Sequence, residues 1–156
     1  MNKKVALLNS DITDTIKKYF ENKDVDVTEI KSLDNISEFD LIITDNYKNE
    51  LPDKIINIHS SLLPAYNCDN PTEQAFMDGV KVSGITLHSK DKIIAQYPVL
   101  IGVGAHYDEF LKDMRDVKKR LVPAVIETIL EDRVFDFLDL FRNPCSHGCS
   151  GCGKCN

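Results

Sequence analysis

The chain lacks the features of membrane and nucleic-acid-binding proteins. No apolar run approaches the roughly 18 residues that a membrane span needs. Positive charge is not in excess, because 19 Lys and Arg stand against 25 Asp and Glu and give a net charge of −6. Without a basic stripe to displace phosphate counterions, nucleic acid is not expected as the main partner. The first apolar stretch is too short for a signal peptide, so we expect a cytoplasmic protein with no membrane partner.

The 156 residues have the size of one domain with a single core, and an apolar content of 42% is enough to fill it. Five cysteines in a cytoplasmic chain do not indicate a disulfide framework. Four of them crowd into the last residues, where Gly, Ser and Cys dominate. We therefore predict a folded domain over residues 1–142 and a Cys-rich tail over residues 143–156.

Short apolar runs alternate with polar stretches over the first half of the chain, which is typical of a mostly parallel sheet covered by helices. We predict strands at Lys4–Asn9, Asp26–Ile30, Asp40–Thr44 and Lys54–Ile58. A helix is expected after the first strand, where apolar and aromatic residues recur at helical spacing: Ile12, Ile16, Tyr19 and Phe20.

The second half predicts a short helix, a β-hairpin and a long helix. The short helix starts at Pro71 and ends at Gly79, since proline suits a first turn and glycine suits a C-cap. The hairpin joins Gly84–Ser89 to Ile93–Leu100. The long helix runs from about Tyr107 to Asp132 and is expected to kink at Pro123. The segment Val134–Phe141 fits either a strand or a helix.

The candidate site lies where the predicted strand Lys54–Ile58 ends. Asn57 and His59 are two residues apart, so both side chains leave the strand on the same face. Ligands bind at this end of strands in open α/β sheets. The Asn57 amide can donate a hydrogen bond to a developing oxyanion, and the His59 imidazole can donate or move a proton near neutral pH. The pair alone also fits a plain role in capping the loop.

The residues around this pair resemble a known family. Asn57–Pro64, with the sequence Asn-Ile-His-Ser-Ser-Leu-Leu-Pro, and the later Gly84–His88, Gly-Ile-Thr-Leu-His, resemble the formyltransferase family and its glycinamide ribonucleotide transformylase branch. The likeness runs from about Val5 to Val134 and is strongest over Ile55–Gln96. It implies an α/β fold with a mostly parallel, Rossmann-like sheet, flanking helices, a C-terminal β-hairpin and a long helix.

The resemblance also implies a function. Members of this family transfer a formyl group from the co-substrate 10-formyltetrahydrofolate to an amine, a small-molecule substrate, as in purine biosynthesis. Asn57 and His59 correspond to the catalytic Asn and His, which polarise the formyl carbonyl and handle the proton. The resemblance further suggests substrate- or folate-binding roles for His88, Ser61, Leu62, Asn9 and Ser10.

The turn of the predicted hairpin departs from the family pattern. The family has a catalytic Asp in a longer, glycine-containing loop at this point, and the same loop helps to hold the pterin. Here the turn is only Ser89–Lys92, and Asp91 is its one carboxylate. Asp91 is therefore the candidate for the third catalytic position, although a charge in a tight turn is equally typical of a solvated residue.

The loop after the first strand is a second departure. Family members that bind a ribonucleotide phosphate have a glycine-rich loop there, whereas Asn9–Thr13 contains no glycine. Asp11 would repel a phosphate, which argues against glycinamide ribonucleotide as the acceptor. Asn9 and Ser10 remain candidates as hydrogen-bond donors or as helix caps.

The cysteine-rich tail predicts a metal site. Its four thiols follow the spacing C-x3-C-x2-C-x2-C and are Cys145, Cys149, Cys152 and Cys155. Four thiolates suit a tetrahedral zinc ion or an iron–sulfur cluster, and a flexible thiol tail is the plain alternative. A competing hypothesis for the whole chain is that the folded domain is a non-catalytic sensor and that the Cys-rich tail performs the function. A homodimer and a redox partner are also left open.

Overall fold

The structure is a computed structural model and describes residues 1–52, 54–90, 92–136, 138 and 140. Along the chain the described elements are β1 (Lys3–Leu8), α1 (Thr13–Phe20), β2 (Val25–Ile30), β3 (Leu41–Asp45), β4 (Ile55–His59), α2 (Pro71–Met77), β5 (Val82–Ser89), β6 (Lys92–Leu100) and α3 (Tyr107–Leu130). A short 3₁₀ turn at Ile36–Glu38 precedes β3.

The strands form one mixed sheet in the order β2-β1-β3-β4-β5-β6. The first four strands pair in parallel, and β5 and β6 add an antiparallel hairpin at one edge. This arrangement confirms the predicted fold class, a mostly parallel sheet with flanking helices, a C-terminal hairpin and a long helix. The strand β4 is the border at which parallel pairing with β3 changes to antiparallel pairing with β5.

Each strand sends alternate side chains to opposite faces of the sheet. On one face, α1 and α3 cover a large apolar cluster that includes Ile56 and Ile58 of β4. The other face has a small cluster, to which Ile42 and Ile55 belong. Because Asn57 and His59 follow Ile55 at the two-residue period, their side chains emerge on the face with the small cluster.

The helices agree with the sequence pattern in most of their length. The helix α2 starts at Pro71 as expected and ends at Met77, and Gly79 follows with a φ of +69° that suits glycine. The helix α3 continues through Pro123 to Leu130. Residues 133–136 are neither helix nor strand, and parts of Val134–Phe141 lie outside the described residues. Among the described helices, none is long and apolar enough to cross a bilayer.

Candidate active site

Asn57 and His59 face a cavity of about 400 Å³ at the carboxyl end of β4. Three segments surround it: the loop after β3, the loop after β4 and the end of β5. The lining residues include Tyr47, Leu51, Cys68 and His88. The volume of this cavity falls in the range of small-molecule sites, and its lining is rich in polar groups.

The side chain of Asn57 is held in one orientation by the end of β3. Its Oδ1 accepts hydrogen bonds from the Thr44 hydroxyl and from the Tyr47 backbone N–H, each at 2.9 Å. A backbone N–H can only donate, so the oxygen of the amide must lie on this side. The Nδ2 group donates to the Tyr47 carbonyl at 3.3 Å and lies 3.3 Å from His88 Nε2. The amide therefore directs one N–H toward His88.

The tautomer of His88 follows from its contacts. Its Nδ1 lies 3.2 Å from the Lys90 carbonyl oxygen, which can only accept, so Nδ1 carries the proton. Its Nε2 then has a lone pair that accepts the Asn57 N–H. His88 is paired with Asn57 across β4 and β5, which explains why the two side chains meet.

The imidazole of His59 is also oriented by a backbone carbonyl. Its Nε2 lies 3.0 Å from the Tyr66 oxygen and must donate to it, which leaves Nδ1 unprotonated in the neutral ring. Burial lowers the pKa of His59, and the neighbouring His88 lowers it further. The two rings lie 6.5 Å apart in an edge-to-face arrangement. His59 is therefore a neutral imidazole at neutral pH, which is the form of a general base.

The loop after β4 is supported by side chains of β5 and β6. The Thr86 hydroxyl donates to the Ser61 carbonyl at 2.6 Å and accepts from the Leu63 N–H at 3.1 Å. The Gln96 amide donates to the Leu63 carbonyl at 3.0 Å and to Thr86 at 3.1 Å. Through this network the hairpin supports the loop whose Tyr66 carbonyl orients His59.

Ser61 and Leu62 are placed inside this loop rather than against the cavity. Ser61 is fully buried, and its hydroxyl donates to the Ala65 carbonyl at 2.6 Å. Leu62 packs on Gly84, where an added Cβ would lie 2.6 Å from Leu62 Cδ2. The structure thus places both of these expected substrate contacts in the internal packing of the loop.

The end of β1, by contrast, is occupied by the protein's own contacts. The Ser10 hydroxyl accepts from the Ile12 N–H at 3.3 Å, and Thr13 donates to the Ser10 carbonyl at 3.1 Å. Asn9 is exposed in a turn with a φ of +56°. The N-cap of α1 is Ile12, and it makes no side-chain cap hydrogen bond, so neither Asn9 nor Ser10 is the expected helix cap. Neither residue lines the cavity that contains His59.

Asp11 and Asp45 share one buried ammonium group. Lys118 Nζ lies 3.1 Å from Asp11 and 2.9 Å from Asp45, and its side chain is only 8% exposed. Burial, together with a smaller contribution from the adjacent Asp11, raises the pKa of Asp45 to about 6 in spite of Lys118. Burial acts in the same direction on Asp11, but Lys118 and Arg115 outweigh it and lower the pKa of Asp11. This cluster lies at the carboxyl ends of the neighbouring strands β1 and β3.

Some expected site residues lie outside the described residues. These are Asp91 in the hairpin turn and the thiols Cys145, Cys149, Cys152 and Cys155. Among the described residues, no group of three or more His, Cys, Asp or Glu side chains is arranged to hold a metal ion. Cys68 is a free, exposed thiol at the edge of the cavity.

Thr44 and Tyr47, which hold Asn57, were not singled out from the sequence. A weak signal exists for Thr44, because it is the polar residue that ends an apolar run predicted as a strand. Tyr47 acts through its backbone, so its side-chain identity carries no signal.

Comparisons with known proteins identify relatives of this chain. A family model described as formyl transferase matches residues 10–126. Formyltetrahydrofolate deformylase of Escherichia coli (strain K12) is 30% identical over 106 residues, which cover 64% of this chain and 38% of that protein. Phosphoribosylglycinamide formyltransferase of Bacillus subtilis (strain 168) is 33% identical over 127 residues, which cover 72% of this chain and 65% of that protein.

Solved structures share the fold. The crystal structure of phosphoribosylglycinamide formyltransferase from Anaplasma phagocytophilum superposes with a TM-score of 0.69 at 22% identity, over 85% of this chain and 89% of that one. The chain spans about two fifths of the length of the deformylase relatives from Escherichia coli that it matches. The family expected from the motifs is confirmed by the match over most of the chain. Because the family model matches three quarters of its length, the chain belongs to the formyl transferase family.

Proposed function

We propose that this protein transfers the formyl group of 10-formyltetrahydrofolate to an amine at the cavity beside β4. The observation that carries the proposal is the arrangement of Asn57 and His59. Asn57 directs an N–H toward His88, and His59 lines the same cavity with an unprotonated Nδ1. These are a hydrogen-bond donor and a base, the two groups that formyl transfer to an amine requires.

Asn57 would stabilise the charge that develops on the formyl oxygen. When the amine nitrogen adds to the formyl carbon, that oxygen becomes an oxyanion. The Nδ2–H that now points at His88 is the donor available to it, because the other N–H is bound to the Tyr47 carbonyl. Since Asn57 is almost fully buried and held at its oxygen, little reorganisation is needed during the reaction.

His59 would move the proton. Its Nδ1 takes the proton that the attacking amine loses as the new C–N bond forms. The bond between the formyl carbon and N10 of the folate then breaks, and N10 leaves with a proton. The products are the formylated amine and tetrahydrofolate, so atoms and charge balance. Asp91 remains the predicted third catalytic group, and its role is part of the proposal.

The cavity has room for part of the folate co-substrate. The end of β1, in contrast, lacks the phosphate-binding loop that some family members have for the acceptor. The cavity of about 400 Å³ admits a ring system beside Asn57 and His59. At the end of β1, where a glycine-rich loop would bind a phosphate, Lys118 is already paired with Asp11. We therefore propose an acceptor without a phosphate group. The names of the deformylase relatives make water the competing acceptor.

The test is turnover of 10-formyltetrahydrofolate with and without amines. We expect release of tetrahydrofolate that depends on an added amine and falls strongly in Asn57→Ala and His59→Ala. Asn35→Ala, at an exposed asparagine outside the cavity, is the matched control and keeps most of the activity. Formate release without amine would identify water as the acceptor. Turnover that is insensitive to both Asn57 and His59 would refute the proposed site.

The cysteine segment carries a separate proposal, based on the sequence alone. The spacing of Cys145, Cys149, Cys152 and Cys155 suits zinc or an iron–sulfur cluster. Metal analysis of protein purified without oxygen tests this, with a chain truncated after residue 142 as the control. One metal centre lost on truncation supports the proposal, and equal metal content in both chains refutes it. A redox partner or a homodimer would be examined with the same two chains.

A further inference from the structure

The amide of Asn57 is directed into the cavity by a residue outside every motif of the site. Thr44 lies in β3, paired in register with Asn57 across the parallel border with β4. Its side chain is completely buried, and its hydroxyl donates to Asn57 Oδ1 at 2.9 Å. The rest of β3 on this face is apolar, with Ile42 in the small core cluster. A buried hydroxyl in that setting is costly unless it is hydrogen-bonded, and Asn57 is the partner it has.

The Tyr47 N–H decides which end of the amide is the oxygen, and the Thr44 hydroxyl adds a second donor that holds this oxygen in place. The Tyr47 N–H and the Thr44 hydroxyl both reach Oδ1, so the opposite orientation would place an NH₂ group against a backbone N–H. A buried donor facing another donor loses its hydrogen bond. The Nδ2–H that faces His88 therefore depends on the contacts made at the other end of the amide.

We infer that Thr44 is a positioning residue, whose hydroxyl holds the Asn57 amide so that its Nδ2–H faces His88 at the cavity, where the proposed reaction takes place. Thr44 touches neither cavity nor substrate, since it is not part of the cavity wall. Its effect on the reaction passes through Asn57 alone. The inference rests on the proposed function for its kinetic consequence, whereas the orientation of the amide is testable without turnover.

The kinetic test compares Thr44→Val, which keeps the shape and removes the hydroxyl, with Thr44→Ser, which keeps the hydroxyl. Losing one neutral hydrogen bond predicts a kcat about three- to tenfold lower in Thr44→Val. The KM for 10-formyltetrahydrofolate should stay within about twofold, because ground-state binding is not touched. Thr44→Ser should regain most of the activity. A KM effect without a kcat effect would overturn the inference.

A buried threonine elsewhere supplies the control. Thr128 is also buried and donates to a backbone carbonyl, that of Ala124, but it lies in α3 away from the site. Thr128→Val is expected to lower stability without lowering kcat. In the Asn57→Ala background, Thr44→Val should have no further effect on kcat. If the two changes multiply instead, Thr44 acts by another route and the inference fails.

The second measurement follows the Asn57 side-chain NH₂ by NMR, with its signals identified by their loss in Asn57→Ala. We expect Thr44→Val to shift these signals and to speed their exchange with water at least severalfold. Unchanged signals would refute the inference. If the wild type shows no turnover but these signals respond, the proposed function fails and the positioning role of Thr44 stands. If turnover depends on Asn57 but Thr44→Val has no effect, only the positioning role fails.

Discussion

The carboxyl ends of β1 and β4 lie on the same edge of the sheet but have opposite characters. At β1, Ser10, Thr13 and Asp11 all bond to groups of the protein itself, and Lys118 neutralises the acidic side chains. At β4, Asn57 and His59 are held by the backbone of Tyr47 and Tyr66, and both side chains line a cavity together with His88, the second contact of the Asn57 NH₂ group. The candidate site is thus distinguished from the end of β1 by polar groups that line a cavity, since both strand ends carry polar residues.

The largest expected effect is at the end of β4. His59→Ala removes the base and should lower kcat by about 100- to 10,000-fold, the usual range for general base catalysis. Release of tetrahydrofolate measures it. At the end of β1, Ser10→Ala serves as the counterpart and should retain most of the activity. Comparable losses of kcat in both variants would show that the carboxyl ends of β1 and β4 do not differ in function.

Lys118→Met breaks the ion-pair cluster at the end of β1. Removing one partner of a buried pair costs about 3 kcal/mol, and we expect this loss at pH 8. Because the pKa of Asp45 is already raised to about 6, Asp45 becomes neutral at pH 5 and the loss is smaller there. Urea unfolding at the two pH values measures the difference. Equal losses would contradict it.

The control for this experiment is Lys112→Met on the same helix. Lys112 is exposed and pairs with Asp116 at 2.9 Å one turn away. An exposed pair contributes little to folding, so stability should stay nearly unchanged at both pH values. The contrast separates the effect of burial from the loss of a positive charge.

Gly84→Ala tests whether the hairpin supports the loop after β4. The new Cβ would lie 2.6 Å from Leu62 Cδ2 and even closer to the Tyr97 carbonyl oxygen. Backbone on one side and a packed side chain on the other leave no room, so a loss of about 1–3 kcal/mol is expected. Gly102→Ala is the control, since nothing lies within 4 Å of its added Cβ. Equal stability of the two variants would refute this support.

The smallest expected effect is a lowered midpoint for the acid limb of the pH profile, which is the range where kcat/KM falls as the pH drops. Burial lowers the pKa of His59 from its ordinary value of 6.5, and His88 contributes. The active form is the neutral imidazole, so kcat/KM should fall as pH drops through a midpoint below 6.5. This limb should be missing from the residual activity of His59→Ala. A midpoint above the ordinary value would contradict a buried base at this position.

Much of the fold follows from local patterns. The apolar runs at β1, β3 and β4 predict buried strands, and their polar ends predict where the site lies. The hairpin of β5 and β6 also follows from spacing, because its turn is short. The bond between Thr44 and Asn57 could not be predicted in the same way. It depends on the register between two strands, and a shift of one residue would send Thr44 to the opposite face.

The position of Lys118 in the pattern of α3 indicates that its side chain is buried, which the sequence-based expectations did not include. Lys118 lies four residues after Met114 and three before Leu121, on the buried face of α3. A lysine there needs a buried partner, since an unpaired charge in a core is costly. The identity of the partners, Asp11 and Asp45, depends on how α3 crosses the ends of β1 and β3, which no local pattern contains.

The change of strand direction at β4 has a practical consequence for engineering. Asn57 is fixed by β3 on one side and by His88 on the other, and both contacts precede the turn that joins β5 to β6. Residues added after Lys90 would leave in place the Lys90 carbonyl that accepts from His88 Nδ1, and they would enter beside the cavity, which Lys90 lines. The turn is therefore a position at which acidic residues can be introduced by engineering, while the Asn57 amide and the His59 imidazole stay where the sheet holds them.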